Sequence, residues 1–120
     1  MRPYLFLILL TAFLFAAIPH SSHAQDGVNS EGLTGRELLD QCNSRYDTEY
    51  GFCAGYLSAI ANAMIIAPVS GERACNLGTI RTQQLIDLYR SYGEIFPENL
   101  RGAATKNAAV ALSRAFPCKD

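Results

Sequence analysis

The residues of this 120-residue chain best suited to chemistry are its four cysteines, Cys42, Cys53, Cys75 and Cys118. Thiols can pair with one another, ligate a metal or attack an electrophile. Their spacing holds no Cys-x-x-Cys knuckle, and the chain's two histidines, His20 and His23, both lie near its beginning. Disulfides are therefore the better reading than a zinc site, whose ligands fall at short, regular intervals. Without a histidine in the rest of the chain there is no Ser–His or Cys–His nucleophile pair. Ser113 and Lys106 share roughly one helix face, an echo of a Ser–Lys dyad that a solvated helix surface explains as well. Asp47/Glu49 and Glu94/Glu98 are carboxylate pairs, but each sits near an expected helix end, where capping and exposure account for acids. Phosphate-cradling and calcium loops are absent from the sequence. The chain is expected not to be an enzyme and to need no cofactor or metal, because no nucleophile, base and stabiliser come together.

The cysteines belong with the way the chain begins. MRPYLFLILLTAFLFAAIPHSSHA has a basic residue at Arg2, an apolar run from Tyr4 to Ile18, a break at Pro19 and a small-x-small pair at Ser22 and Ala24. That pattern is a secretory signal peptide cleaved after Ala24. It leaves residues 25–120 as one small domain in an oxidising compartment, where an even cysteine count reads as two disulfides. A domain this short buries a limited share of its surface, so covalent staples help it. The net charge of −1 is close to balance, which gives no footprint for nucleic acid or for anionic lipid.

Four helices are expected to position these residues. After a polar arm over 25–32, Leu33, Thr34, Glu37 and Leu38 make a capping box with a hydrophobic staple. They open a helix over 35–43 that turns Leu38, Leu39 and Cys42 inward. A second helix is expected over 49–67, capped by Asp47 or Thr48. Tyr50 to Ser70 holds no charged residue and is apolar on every side of a helical wheel, so it reads as a central helix buried all round. A membrane span is the competing reading of such a run, disfavoured by its Gly, Ala and Ser content and by Asn62. Gly51 and Gly55 look like a notch for close packing against an alanine-rich helix. Pro68 ends the run, and 68–78 forms the main loop.

The third helix lies within 79–96, with Leu85, Leu88, Tyr89, Tyr92 and Phe96 inward and Asp87, Arg90 and Glu94 on the wet face. Gly93 should weaken its last turn. The fourth runs over 98–115 with Leu100, Ala103, Ala104, Ala108, Ala111, Leu112 and Ala115 on one small-residue face, and Pro117 stops it. The expected fold is all-α, a disulfide-stapled bundle of about four helices. Three disulfide connectivities are possible. Up-and-down geometry places Cys42 and Cys53 at one end, and Cys75 and Cys118 at the other, which favours those two pairs.

The series LLDQC, GFCAGYLSAIANA, Cys75 followed by Gln84, Tyr92, FPE and the terminal AFPC resembles the Rap/Tai family over about residues 38–118. These are periplasmic immunity proteins against type VI secretion amidase effectors. The resemblance implies a small helical protein, often a homodimer, that binds and blocks a cell-wall amidase. The family usually has proline where Leu77 stands and a large apolar residue where Gly93 stands. These departures surround the third helix. Together with its polar rim they point to 71–90 as the contact surface, with Gln83, Gln84, Asp87 and Arg90 as the candidate partner-binding residues. A structural or chaperone-like periplasmic protein is the alternative from another class.

Overall fold

The computed structural model describes residues 32–119. The expected leader, its cleavage after Ala24 and nearly all of the polar arm lie outside them. Within them the fold is all-α. Helix α1 spans Gly35–Asn43, α2 Asp47–Ile66, α3 Thr82–Ile95 and α4 Ala104–Ala115. Single 3-10 turns over Leu77–Thr79 and Pro97–Arg101 precede α3 and α4. Among the described residues there is no β-strand, and no helix is long and apolar enough to cross a membrane.

Helix α1 begins as its sequence requires. The Thr34 side chain accepts from the Glu37 amide at 3.2 Å, and the Glu37 carboxylate accepts from the Thr34 amide at 2.8 Å. Two otherwise unpaired helix-start donors are satisfied reciprocally. The same backbone bond, with the Thr34 hydroxyl second, holds the Glu37 carboxyl below its ordinary range. Leu38, Leu39 and Cys42 are buried. Both ends of α2 differ from the expected 49–67, the far one by a single residue. It starts at Asp47, and Tyr46 caps it with no side-chain bond, so Asp47 and Glu49 act through the helix dipole. Its far end stops at Ile66, since the residue before proline is steered out of helical geometry.

The burial of α2 corrects the sequence reading. Only Cys53, Leu57, Ala61 and Met64 are fully buried, a single stripe at helical spacing. Helices α1, α3 and α4 all meet α2, but along this one side. Phe52, Ile65 and Ile66 on its other side are 49 %, 56 % and 88 % exposed. Three short helices are too few to enclose a fourth of 20 residues. Gly51 and Gly55 are likewise in open space, with nothing within 4 Å of where a Cβ would stand. They are no packing notch. Gly55→Ala is therefore expected to stabilise the fold by about 0.5–1 kcal/mol, because glycine in an exposed helix interior costs that much relative to alanine. Urea unfolding at low protein concentration should show a higher midpoint; a lower one would mean that the site is crowded.

Gly93 is the glycine that does pack closely. It is buried, and a Cβ there would lie 2.7 Å from Leu39 Cδ2. The expected fraying of α3 is replaced by a close contact between α3 and α1. The core also includes Ile86, which the apolar spacing had not singled out, beside Leu85, Tyr89, Tyr92 and Leu100. Tyr89 is fully buried. Its hydroxyl donates to the Gly35 carbonyl at 3.0 Å, and burial raises its pKa, so it stays a donor.

The expected fourth helix is broken. Residues 97–101 form a 3-10 turn, and the chain is extended at Gly102. There the Gly35 amide donates to the Gly102 carbonyl at 2.8 Å and the Ala104 amide to the Leu33 carbonyl at 2.7 Å. Backbone groups pledged to the start of α1 cannot also continue a helix ladder. Asn107 secures the break. Its amide donates to the Gly102 and Ala103 carbonyls at 3.2 and 3.1 Å, and its Oδ1 accepts from the Tyr92 hydroxyl at 3.3 Å. Ala103 and Ala115, expected inward, are exposed.

Candidate partner-binding surface

Both disulfides join the pairs that up-and-down geometry favours. Cys42–Cys53 and Cys75–Cys118 have Cα–Cα distances of 5.1 and 5.0 Å, and no described cysteine is free. The first is fully buried and ties α1 to the start of α2. The second ties the long loop to the C-terminal end, where the Cys75 amide also donates to the Phe116 carbonyl at 2.9 Å. The loop itself begins with a tight turn. Val69 and Glu72 exchange backbone bonds of 3.0 and 2.9 Å across Ser70 and Gly71, which have φ of 50° and 79°. Two successive left-handed residues make the turn that glycine favours.

That turn accounts for Ser113 and Lys106. Lys106 Nζ lies 2.6 Å from Glu72 Oε1 and donates to the Ser70 carbonyl at 3.0 Å, while the Ser113 hydroxyl donates to Glu72 Oε2 at 3.1 Å. The lysine and the serine each address the carboxylate between them. Lys106 is an ion-paired ammonium, so it offers no free amine to activate Ser113. Lys106 first, and Ser113 second, hold the Glu72 carboxyl below its ordinary range. The stabilisation this implies is present above the unfolded pKa of a glutamate and lost as pH falls through the lowered folded value. The group is a clamp between loop and α4. Of the carboxylate pairs, Glu49 is engaged by the Ser44 hydroxyl, and Asp47, Glu94 and Glu98 are exposed. Among the described residues no cluster of three or more potential metal ligands occurs.

Gln83, Gln84, Asp87 and Arg90 lie on the first three turns of α3. Gln83, Gln84 and Asp87 are exposed, and Arg90 is half-buried. Gln84 accepts from the Arg81 amide at 3.0 Å and helps start α3. Gln83 accepts from the Tyr50 hydroxyl at 2.6 Å and donates to Asp87 at 2.9 Å. Arg90 pairs with Asp87 at 3.5 Å, donates through Nε to the Cys42 carbonyl at 3.1 Å, and lies over the Tyr50 ring at 5.8 Å. A cation at the last turn of α1 meets the negative end of its dipole. Three of the four residues thus belong to one network joining α3 to the α1–α2 corner. Tyr46, 72 % exposed, stands one turn before Tyr50 at that corner. The result is a polar surface with an aromatic at its edge, the composition of a partner-contact rim.

The exposed side of α2 is a second surface, and the sequence reading missed it. Phe52, Gly55, Ala59, Ala63 and Ile66 run along it at helical spacing without a charge. The signal for it lay in the element count, since so few helices cannot bury every side of an apolar one.

Compared with known proteins, residues 34–118 match the family model described as Rap1a immunity proteins. No curated protein and no solved structure matches the chain. The matched span runs from the cap of α1 to the last cysteine, taking in all four helices and both disulfides, and the chain belongs to the Rap1a immunity protein family.

Proposed function

We propose that this protein is a periplasmic immunity protein that binds and inhibits a peptidoglycan amidase delivered by a type VI secretion system. The observation that carries the reading is the family match over 34–118. Compartment and chemistry agree with it. Peptidoglycan lies outside the inner membrane, so enzyme and inhibitor must meet there. Disulfides form in the same compartment, and the leader over residues 1–24 would take the chain to it. The contact surface on this reading is the loop and the first half of α3, from Gly71 to Arg90, where Gln83, Gln84, Asp87 and Arg90 present polar groups near Tyr50. An uncharged balance overall favours recognition by shape with modest salt dependence.

The test is rescue. Cells exporting the cognate peptidoglycan amidase should survive when they also make the full-length chain, and should lyse when they make a form lacking residues 1–24. Purified oxidised protein should block that amidase on isolated cell walls. Equal rescue by the leaderless form would rule out inhibition in the periplasm. Failure of both forms, with no inhibition in vitro, would favour a structural or chaperone-like role.

A further inference from the structure

We infer that the cleft between the 3-10 turn at 97–101, the Ser70–Gly71 turn and α4 binds a short peptide with a free C-terminal carboxylate. The cleft holds about 480 Å³, within the range of small-ligand sites. Tyr92 and Asn99 reach it from α3 and the 3-10 turn, and Lys106, Val110 and Arg114 from α4. Glu72 is the one acid among the described residues that line it, and Lys106 already pairs with it at 2.6 Å. Arg114 therefore leaves the cleft with one positive charge in excess, which selects an anion.

The donors and acceptors left over match a peptide. Arg114 lies over the Phe96 ring, 4.4 Å from its centroid. Among the described residues no carboxylate pairs with it. A guanidinium held on a ring keeps its N–H edge for a carboxylate, which it can take with two parallel bonds. Lys106 spends two of its three donors on Glu72 and the Ser70 carbonyl, so one remains. Asn99 Nδ2 donates to the Tyr92 hydroxyl at 3.1 Å, which aims the amide and leaves its Oδ1 to accept a peptide N–H. Lys106, Val110 and Arg114 recur every four residues along one face of α4. From first to last they cover about 12 Å at 1.5 Å per residue. An extended chain covers about 3.3 Å per residue, so a peptide of about four residues spans the face. Its carboxylate then sits on Arg114, a small side chain on Val110 and a main-chain carbonyl on Lys106. A free amino acid is too short to reach both cations.

The test is an NMR titration of the exported, oxidised, isotope-labelled chain with acetylated tetra-L-alanine. Saturable shifts should appear at the Asn99 side-chain amide and along Lys106, Val110 and Arg114, while Gln83 and Asp87 stay still. The same peptide with an amidated C-terminus should bind roughly tenfold more weakly. Arg114→Gln should lose a similar factor, and Arg114 is exposed, so the fold should survive the change. Arg36→Gln, outside the cleft, should bind as the wild type does. A second acetylated peptide, ending in D-alanyl-D-alanine, separates the two sources of such a ligand. Tighter binding of the L form supports a protein fragment, tighter binding of the D form supports a cell-wall peptide, and either result supports the inference. No saturable shift up to roughly 10 mM of either peptide overturns it. So does an amidated peptide that binds as well as the acid, or an Arg114→Gln variant of unchanged affinity. These readouts use the chain and peptides alone, so they stand or fall independently of whether an amidase is inhibited.

Discussion

Replacing Cys75 and Cys118 together by alanine is expected to lower unfolding free energy by about 4 kcal/mol, measured by urea denaturation of the oxidised protein. The bridge closes a loop with a sequence separation of 43 residues. On the chain-entropy account, removing such a crosslink frees the unfolded chain by roughly that amount, against about 3 kcal/mol for the 11-residue separation of Cys42–Cys53. The buried pair should lose more than its entropy share, because Cys42 and Cys53 are fully buried and their sulfurs leave a cavity. Small domains are stable by only about 5–15 kcal/mol, so losing both bridges should leave the chain unfolded. A loss below about 1 kcal/mol for the Cys75/Cys118 variant would overturn the entropy argument. It would mean that the Glu72 clamp and the bond from the Cys75 amide to Phe116 hold the loop in place without the covalent link.

Gly35→Ala is expected to cost about 2–3 kcal/mol, although alanine is the better helix former. A Cβ at this position would stand 2.6 Å from Asn107 Nδ2, 2.9 Å from its Cγ and 3.1 Å from Leu100 Cα. Leu100 Cα is backbone and cannot swing aside. Asn107 could move only by giving up the bonds that hold the Gly102 break and the Tyr92 hydroxyl. Asn107 is buried, so its own amide would be left without partners. Melting curves of Gly35→Ala, Asn107→Ala and the double variant should show the double losing less than the two singles added, because alanine at 107 makes room for the new methyl. A rise in melting temperature for Gly35→Ala would mean that helix propensity governs the site and the close approach carries no strain.

The glycines mark where local reading stops. Thr34 and Glu37 announce the start of α1 because a capping box is a contact between residues three apart, wholly contained in the sequence. Pro68 and the residue before it end α2 for an equally local reason. The disulfide pairs followed from helix directions, which short connections between helices largely determine. No local pattern distinguishes Gly55, which faces open space, from Gly93, which lies against Leu39, or from Gly35, which lies against Asn107 and Leu100. Each neighbour is far away in sequence. The exposed side of α2 was hidden for the same reason. Periodicity records which residues are apolar, but burial depends on how many elements arrive to cover them. The break at Gly102 belongs to the same class, since its backbone partners are Leu33 and Gly35. The sequence by itself determined the start of α1, the apolar inventory and the staples, because those rest on near neighbours and on cysteine chemistry. Only the tertiary structure decided which side of α2 stays open and which glycines must remain glycines, because those depend on atoms that folding brings together from distant parts of the chain.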